Sequence, residues 1–413
     1  MITTPHADDG FTRVGELRFL FVGPGYPGVP GATSGSGIGT YVRELAQGLI
    51  ERGHHCHALA WSETGAYAEH EADGVMVHLV PRGHWPAIER WRPDACMMWR
   101  RGHAAAKLDR RYRFDWVEVQ SDEGIDLAVQ WRLQGRVILR VHTTLAQMCR
   151  YKEEPSDAWA WRFVERERRS FRLAERIIAS SALHARELKT QFPELPPAEI
   201  VPLGCGCARP GWFADAPDAD KPRFLVVGTF DRRKGTDRLR DVTARYAERF
   251  GPCELRLVSS TPRAALTEQF GLGRPYPPGV TVSYATGLSA AELADEYRRA
   301  TAFLHLARYE SFGYPLIEAA ACGTPVVATA TGIAPELLTG ELKALLVDGG
   351  DPADCVRALR LAVTRRAELG PRLFDVYAGA FTRDHMTNRY LEVLGRWSRS
   401  TEGSSTSMAG VAP

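Results

Sequence analysis

The stretch AFLHLARYESFGYPLIE, Ala302–Glu318, decides the fold. Ala302–Leu306 is a short, mostly apolar run of the kind buried on both faces in a parallel sheet. Gly313 and Pro315 suit a turn entering a helix, and Leu316, Ile317, Ala320 and Ala321 supply that helix's apolar positions. Glu310 therefore precedes a helix and Glu318 lies in its second turn. The N–H groups around Ser311, Phe312, Gly313 and Tyr314 point out of the helix start, ready for an anion. A carboxylate on each side of that anion could accept hydrogen bonds from vicinal hydroxyls, one set on a sugar and one on a ribose. The plainer reading of Glu310 and Glu318 is two solvated glutamates near a helix end.

The same strand–loop–helix unit recurs outward in both directions. Toward the N-terminus, strand-like runs occur at Leu17–Gly23, His54–Trp61, Val75–Pro81, Trp116–Gln120, Val137–His142, Ile177–Ser180 and Ile200–Leu203. Helical periodicity appears over Thr40–Arg52, Asp157–Glu175 and Ala182–Gln191. The pattern restarts at Arg223–Gly228 and continues through Glu254–Ser259, Val280–Tyr284, Pro325–Ala328 and Ala344–Val347. Apolar strands alternating with helices specify an α/β fold with doubly wound parallel sheets, and two passes specify two Rossmann-like domains. At roughly 150 residues per domain, 413 residues leave room for both. The expected organisation is a first domain over 1–203, a Gly-, Pro- and Asp-rich hinge over 204–222 and a second domain over 223–385. A terminal helix over 386–397 and a disordered tail over 398–413 complete it.

Composition excludes several classes. The 52 Lys+Arg nearly balance the 50 Asp+Glu, so nucleic acid is not an expected partner. The apolar runs are far shorter than the ~18 residues of a membrane span. The N-terminal stretch lacks a signal-peptide core, and a cytoplasmic location is expected. The eight cysteines are too sparse for a disulfide scaffold and read as reduced thiols.

Gly23-Pro24-Gly25-Tyr26-Pro27-Gly28 formally matches a dinucleotide-binding glycine pattern, with Glu63 as a ribose partner. Its prolines prevent these glycines from opening a helix. The helix is expected only after Gly37-Ile38-Gly39, where Gly37 and Gly39 would let the backbone approach a phosphate at the carboxyl end of the first strand.

Six stretches in order carry a resemblance. Tyr309–Thr329, YESFGYPLIEAAACGTPVVAT, resembles the E-x7-E region of retaining GT-B glycosyltransferases of family four. Gly37–Tyr41 with Arg52–His55 resembles that family's first loop, helix and second strand. Val141-His142-Thr143, Val201–Gly204, Val227–Gly235 and Thr331–Glu336 resemble its strand-end histidine, hinge approach, phosphate loop and following segment. Phe381–Trp397 also looks like its returning helix, and the similarity covers roughly residues 17–397. There are two departures. Thr229 stands where many members carry arginine after Gly228, and Tyr314 replaces a more usual leucine. Arg233-Lys234 fits a variant within the family and takes the diphosphate clamp.

The resemblance implies a cleft between the domains, with a nucleoside-diphosphate sugar such as a UDP- or GDP-hexose held by the second and the acceptor by the first. It implies catalytic roles for His142, Arg233, Lys234 and Glu310. Donor contacts would come from Gly37, Gly39, Gly228, Ser311, Phe312, Gly313, Tyr314 and Glu318. Retention of anomeric configuration is also implied. Positive groups can stabilise the leaving phosphate without metal or cofactor. Asp218-Ala219-Asp220 lies in the hinge, and Cys205-Gly206-Cys207 lacks a second ligand pair, so no metal site is assigned. Asp122 and Glu123, just past the strand Trp116–Gln120, are acceptor-binding candidates, with a helix cap as the plainer reading.

A soluble small-molecule acceptor is expected. The Ala- and Arg-rich composition resembles that of high-GC actinobacterial proteins, where such enzymes often serve antibiotic or other secondary-metabolite biosynthesis. The basic run Arg100, Arg101, Lys107, Arg110, Arg111 and Arg113, near Trp85, Trp91 and Trp99, keeps a lipid-linked or membrane-surface acceptor as the alternative. A nucleotide-sugar epimerase and a non-catalytic nucleotide-sugar binder share the fold. A homodimer is compatible with all of these readings.

Overall fold

The structure, a computed structural model, describes residues 15–33, 37–82, 93–121, 126–152, 158–207, 210–211, 221–259 and 276–407. The first domain is built on strands β1 (Arg18–Val22), β2 (His55–Ser62), β3 (Ala68–Ala72), β4 (Val75–Pro81), β5 (Trp116–Gln120), β6 (Val137–Arg140), β7 (Ile177–Ala179) and β8 (Glu199–Ile200). They form one sheet in the order β3-β4-β2-β1-β5-β6-β7-β8. The second domain uses β9 (Arg223–Val227), β10 (Cys253–Val258), β11 (Val280–Ala285), β12 (Ala302–His305), β13 (Val326–Thr329) and β14 (Leu346–Val347), in the order β11-β10-β9-β12-β13-β14. Pairings are parallel throughout except β3 with β4. The central strands are buried along their length, as in β5 (WVEVQ) and β12 (AFLH), which is why they stand out as apolar runs.

The strand order reverses beside β1, between β2 and β5, and beside β9, between β10 and β12. Crevices at such reversals, outside the carboxyl ends of the strands, are where open α/β sheets take ligands. Gly23 and Ser121 leave the first reversal; Gly228 and Leu306 leave the second.

Three expectations need correction. The first helix runs Gly37–Ile50 and includes both glycines expected before it. A Cβ at Gly39 would meet Pro27 Cδ at 3.1 Å and the Gly25 carbonyl oxygen at 3.4 Å, so close packing outweighs glycine's helix cost of ~1 kcal/mol. The last helix runs Arg383–Ser407, so part of the expected tail is helical. Extending an existing helix is far easier than nucleating one, and no proline interrupts this stretch. Arg101, part of the basic run considered for a membrane surface, is buried, with its guanidinium 4.1 Å from the centre of the Trp61 ring. The strand β3 was not expected at all. Its sequence AEHEA is polar, and antiparallel pairing with β4 through the two-residue turn Asp73-Gly74 creates it.

Candidate active site

The turn after β12 begins the site. Arg308 ties it to the loop after β9: the guanidinium forms a two-pronged pair with Asp237 at 2.7 and 2.8 Å and also donates to the Arg232 carbonyl at 2.7 Å. The loop itself is folded by Asp231, whose carboxylate accepts the Lys234 N–H at 2.8 Å and whose carbonyl accepts the Thr236 hydroxyl at 2.8 Å. Gly235 has φ +70°, and a Cβ there would fall 1.9 Å from the Leu306 carbonyl oxygen. Only glycine lets loop and strand end approach this closely.

This closeness brings Arg233, Lys234 and Glu310 together. The Lys234 ammonium donates to Glu310 Oε1, and an Arg233 Nη lies 3.7 Å from Oε2. His305, at the end of β12, lies 3.4 Å from Oε1. Burial alone pushes the Glu310 carboxyl up. Lys234, His305 and Arg233 overturn that and hold it well below the usual carboxylate range. Glu310 is therefore ionised and faces two cations.

Gly313, at φ +98°, turns the chain into the helix Tyr314–Ala321, with Pro315 in its first turn. Gly332 is pressed against this turn; a Cβ there would lie 2.1 Å from the Phe312 carbonyl oxygen. The Ile333 N–H donates to that same oxygen at 2.8 Å. Glu318 accepts the Tyr297 hydroxyl at 2.8 Å. Burial raises the Glu318 carboxyl, and the Tyr297 bond works against that rise. Gly228 leaves β9 at φ +137°, and a Cβ there would meet nothing within 4 Å.

The first domain meets this surface directly. The Thr143 hydroxyl donates to the Ser311 hydroxyl at 3.2 Å, and the Ser181 hydroxyl donates to the Ser311 carbonyl at 3.1 Å. The Ala182 N–H donates to Glu336 at 2.8 Å, and the Tyr151 and Tyr309 rings stack at 4.8 Å. Tyr314 is buried at this junction. Its ring lies near Gly37, and its hydroxyl reaches toward the Gly204 carbonyl at 3.4 Å. His142 is buried two residues past β6, with its N–H donating to the Ser121 hydroxyl at 2.9 Å. Burial first, then Arg140 and His184, hold its imidazole well below the ordinary range and hence neutral.

The structure thus brings together Arg233, Lys234 and Glu310 on one side and the His142-Thr143 strand end on the other, joined through Ser311. Phe312, Gly313 and Tyr314 form the turn between them. Gly37 reaches this junction, whereas Gly39 packs on Pro27 behind it. Asp122, Glu123, Asp218 and Asp220 lie outside the described residues. Reading the sequence did not assign His305, Tyr297, Glu336 or Ser181 to the site. His305 had a visible signal, a polar residue ending an apolar central strand. The other three act through contacts that sequence spacing does not encode. Among the described residues, no group of three or more His, Cys, Asp or Glu could hold a metal ion.

Two α/β domains built on parallel sheets and meeting at their strand ends make a GT-B fold. Residues 35–209 match Glycosyltransferase Family 4, and residues 221–364 match Glycosyl transferases group 1. The chain belongs to this glycosyltransferase family. It is 30% identical over 400 residues to the D-inositol 3-phosphate glycosyltransferase of Actinosynnema mirum, covering 89% of this chain and 94% of that one. It is 28% identical over 366 residues to the protein of the same name in Pseudarthrobacter chlorophenolicus, covering 83% and 86% respectively. The sucrose-phosphate synthase of Thermosynechococcus elongatus shares the fold with a TM-score of 0.75 at 19% identity, over 93% of this chain and all of that one.

Proposed function

We propose that this glycosyltransferase moves a hexose from a nucleoside-diphosphate sugar to a soluble small-molecule acceptor, with retention of configuration and without a metal. The observation that carries this reading is the cluster of Lys234 and Arg233 on Glu310, beyond the carboxyl ends of β9 and β12. Positive charge is already fixed where a leaving diphosphate would accumulate negative charge, and it needs no rearrangement at the moment of reaction. Glu310 would accept hydroxyls of the transferred sugar, and Glu318, one helical turn deeper, those of the ribose. Gly228 and the N–H groups of 311–314 would line the diphosphate. Front-face attack, with the leaving phosphate taking the acceptor's proton, fits retention of configuration. The names of the relatives, a D-inositol 3-phosphate glycosyltransferase and a sucrose-phosphate synthase, favour a hydroxyl-rich, phosphorylated acceptor. A role in antibiotic or other secondary-metabolite biosynthesis rests on composition alone.

The test is a thermal-shift screen of UDP- and GDP-hexoses, followed by NMR of the product formed with polyol and sugar-phosphate acceptors. A ligand at 100 times its Kd should stabilise by ~2.7 kcal/mol. An inverted anomeric centre in the product, or release of free sugar with every acceptor, overturns the reading.

One observation favours a membrane-surface acceptor as the second reading. Trp99 and Trp131 are 44% and 58% exposed and meet edge to face at 5.5 Å, with the Arg132 guanidinium over Trp99. Tryptophan beside arginine is typical of membrane interfaces. No helix among the described residues is long and apolar enough to cross a membrane. Cosedimentation with anionic vesicles separates the two readings.

A further inference from the structure

Behind His142 lies a buried chain of hydrogen bonds that runs through Gln120 to Glu118 and Tyr41. One carboxylate oxygen of Glu118 accepts the Tyr41 hydroxyl at 2.8 Å and the side-chain nitrogen of Gln120 at 2.8 Å. Tyr41, Glu118 and Gln120 are at most 1% exposed. Burial raises the Glu118 carboxyl, and Arg140, Gln120 and Tyr41 work against that rise; as a carboxylate its oxygen only accepts, so the Gln120 amide turns its nitrogen toward Glu118 and its oxygen away. That oxygen lies 2.7 Å from His142 Nε2. An amide oxygen carries no proton, so the ring nitrogen must be the donor. Tyr41 is itself held: the Arg140 guanidinium sits 4.5 Å from the centre of its ring and donates to the Val201 carbonyl at 2.9 Å. The His142 ring also lies edge-on to Tyr41 at 5.9 Å.

We propose that Gln120, oriented by Glu118 and Tyr41, is a positioning residue that fixes His142 as its Nε2–H tautomer and leaves Nδ1 as the acceptor for a substrate hydroxyl. This rests on the reading of His142 as a contact of the transferred sugar. The ring is neutral, so it carries one proton and must choose between two nitrogens. In water the two tautomers interconvert freely. Here the choice is made by a carboxylate two bonds further along the chain. A histidine that accepts from a hydroxyl can orient the sugar, whereas the opposite tautomer would present an N–H to that same hydroxyl.

The experiment is ring nitrogen-15 NMR of the full-length protein without ligand, with the His142 signal assigned by its loss in His142→Phe. The wild type is expected to show a protonated Nε2 and a bare Nδ1. Gln120→Met keeps the bulk and removes the amide, and Glu118→Gln lets the Gln120 amide turn over. Each should shift the ring toward the other tautomer and lower turnover about tenfold or more, while affinity for nucleoside diphosphate stays within twofold. Tyr41→Phe, the gentler change, should do the same to a smaller degree and covers the case in which Glu118→Gln does not fold. A wild-type ring protonated at Nδ1, or a ring unchanged in Gln120→Met and Tyr41→Phe, overturns the proposal. A shifted tautomer with unchanged turnover overturns the role of His142 at the sugar and leaves the tautomer assignment standing.

Discussion

The Lys234 ammonium is hydrogen-bonded to Glu310 across 76 positions of sequence. Before any ligand arrives, the cation assigned to the leaving phosphate is balanced by the carboxylate assigned to the sugar. Both side chains are largely buried. The pair keeps an ionised carboxylate affordable inside the protein, and a bound diphosphate would share the same ammonium. Removing one partner strands the other charge.

Lys234→Met should therefore lower the stability of the ligand-free protein by about 3–5 kcal/mol. Adding Glu310→Gln should restore most of that loss and none of the activity. Urea unfolding of the single and double variants, read as a double-mutant cycle, checks this. A Lys234→Met protein as stable as wild type would show that the pair contributes nothing.

Leaving-group stabilisation should be metal-free. Lys234→Ala should cost ~10²–10³ in turnover, by analogy with the loss of one oxyanion donor. EDTA should leave wild-type activity intact. Activity abolished by chelator and restored by Mg²⁺ or Mn²⁺ would falsify the metal-free clamp and direct attention to Asp218 and Asp220.

Glu318→Ala should weaken binding of the free nucleoside diphosphate by ~1.5–3 kcal/mol for each charged hydrogen bond lost. Isothermal titration calorimetry measures it. Because Tyr297 already holds one oxygen of Glu318, Tyr297→Phe should weaken binding in the same direction but less. Equal affinities for all three proteins remove Glu318 from the ribose site.

His142→Ala should reduce turnover far more than it reduces affinity for nucleoside diphosphate, since the diphosphate is assigned to the other domain. Steady-state kinetics paired with a binding assay separate the two effects. Turnover that survives within two- to threefold marks His142 as a core residue.

His184 supplies a pH dependence of stability. It is fully buried, and burial, with Arg140 close by, pushes its imidazole down to about 3. Below its unfolded value of about 6.5, the unfolded chain binds a proton that the folded chain does not, so stability falls as pH falls. The loss from this group should reach about 2 kcal/mol between pH 7 and pH 5. Urea unfolding across that range should show a shallower slope in His184→Gln than in wild type. Parallel curves would mean that His184 does not carry the effect.

The sequence by itself determined the two-domain α/β plan. β4 and β5 begin and end where the apolar runs Val75–Pro81 and Trp116–Gln120 do, because strands buried in a parallel sheet must be apolar along their length. The turn at Gly313-Pro315 was equally legible, since local backbone chemistry dictates it. Even β3 had its signal in Asp73-Gly74, which outweighs the polar composition of AEHEA by fixing a tight antiparallel turn. Tertiary structure alone decided what the charges do. Glu310 and Lys234 meet because β9 and β12 are neighbours at the point where the strand order reverses, a fact of topology that no spacing reveals. Arg101, one of a basic run in sequence, became a buried cap on Trp61, and Gly39 turned from a loop glycine into a packed helical one, because the neighbours that enclose them are brought there by the fold. Periodicity reports which side of an element is buried. It does not report what lies against that side, and electrostatics and hydrogen bonding depend on that neighbour.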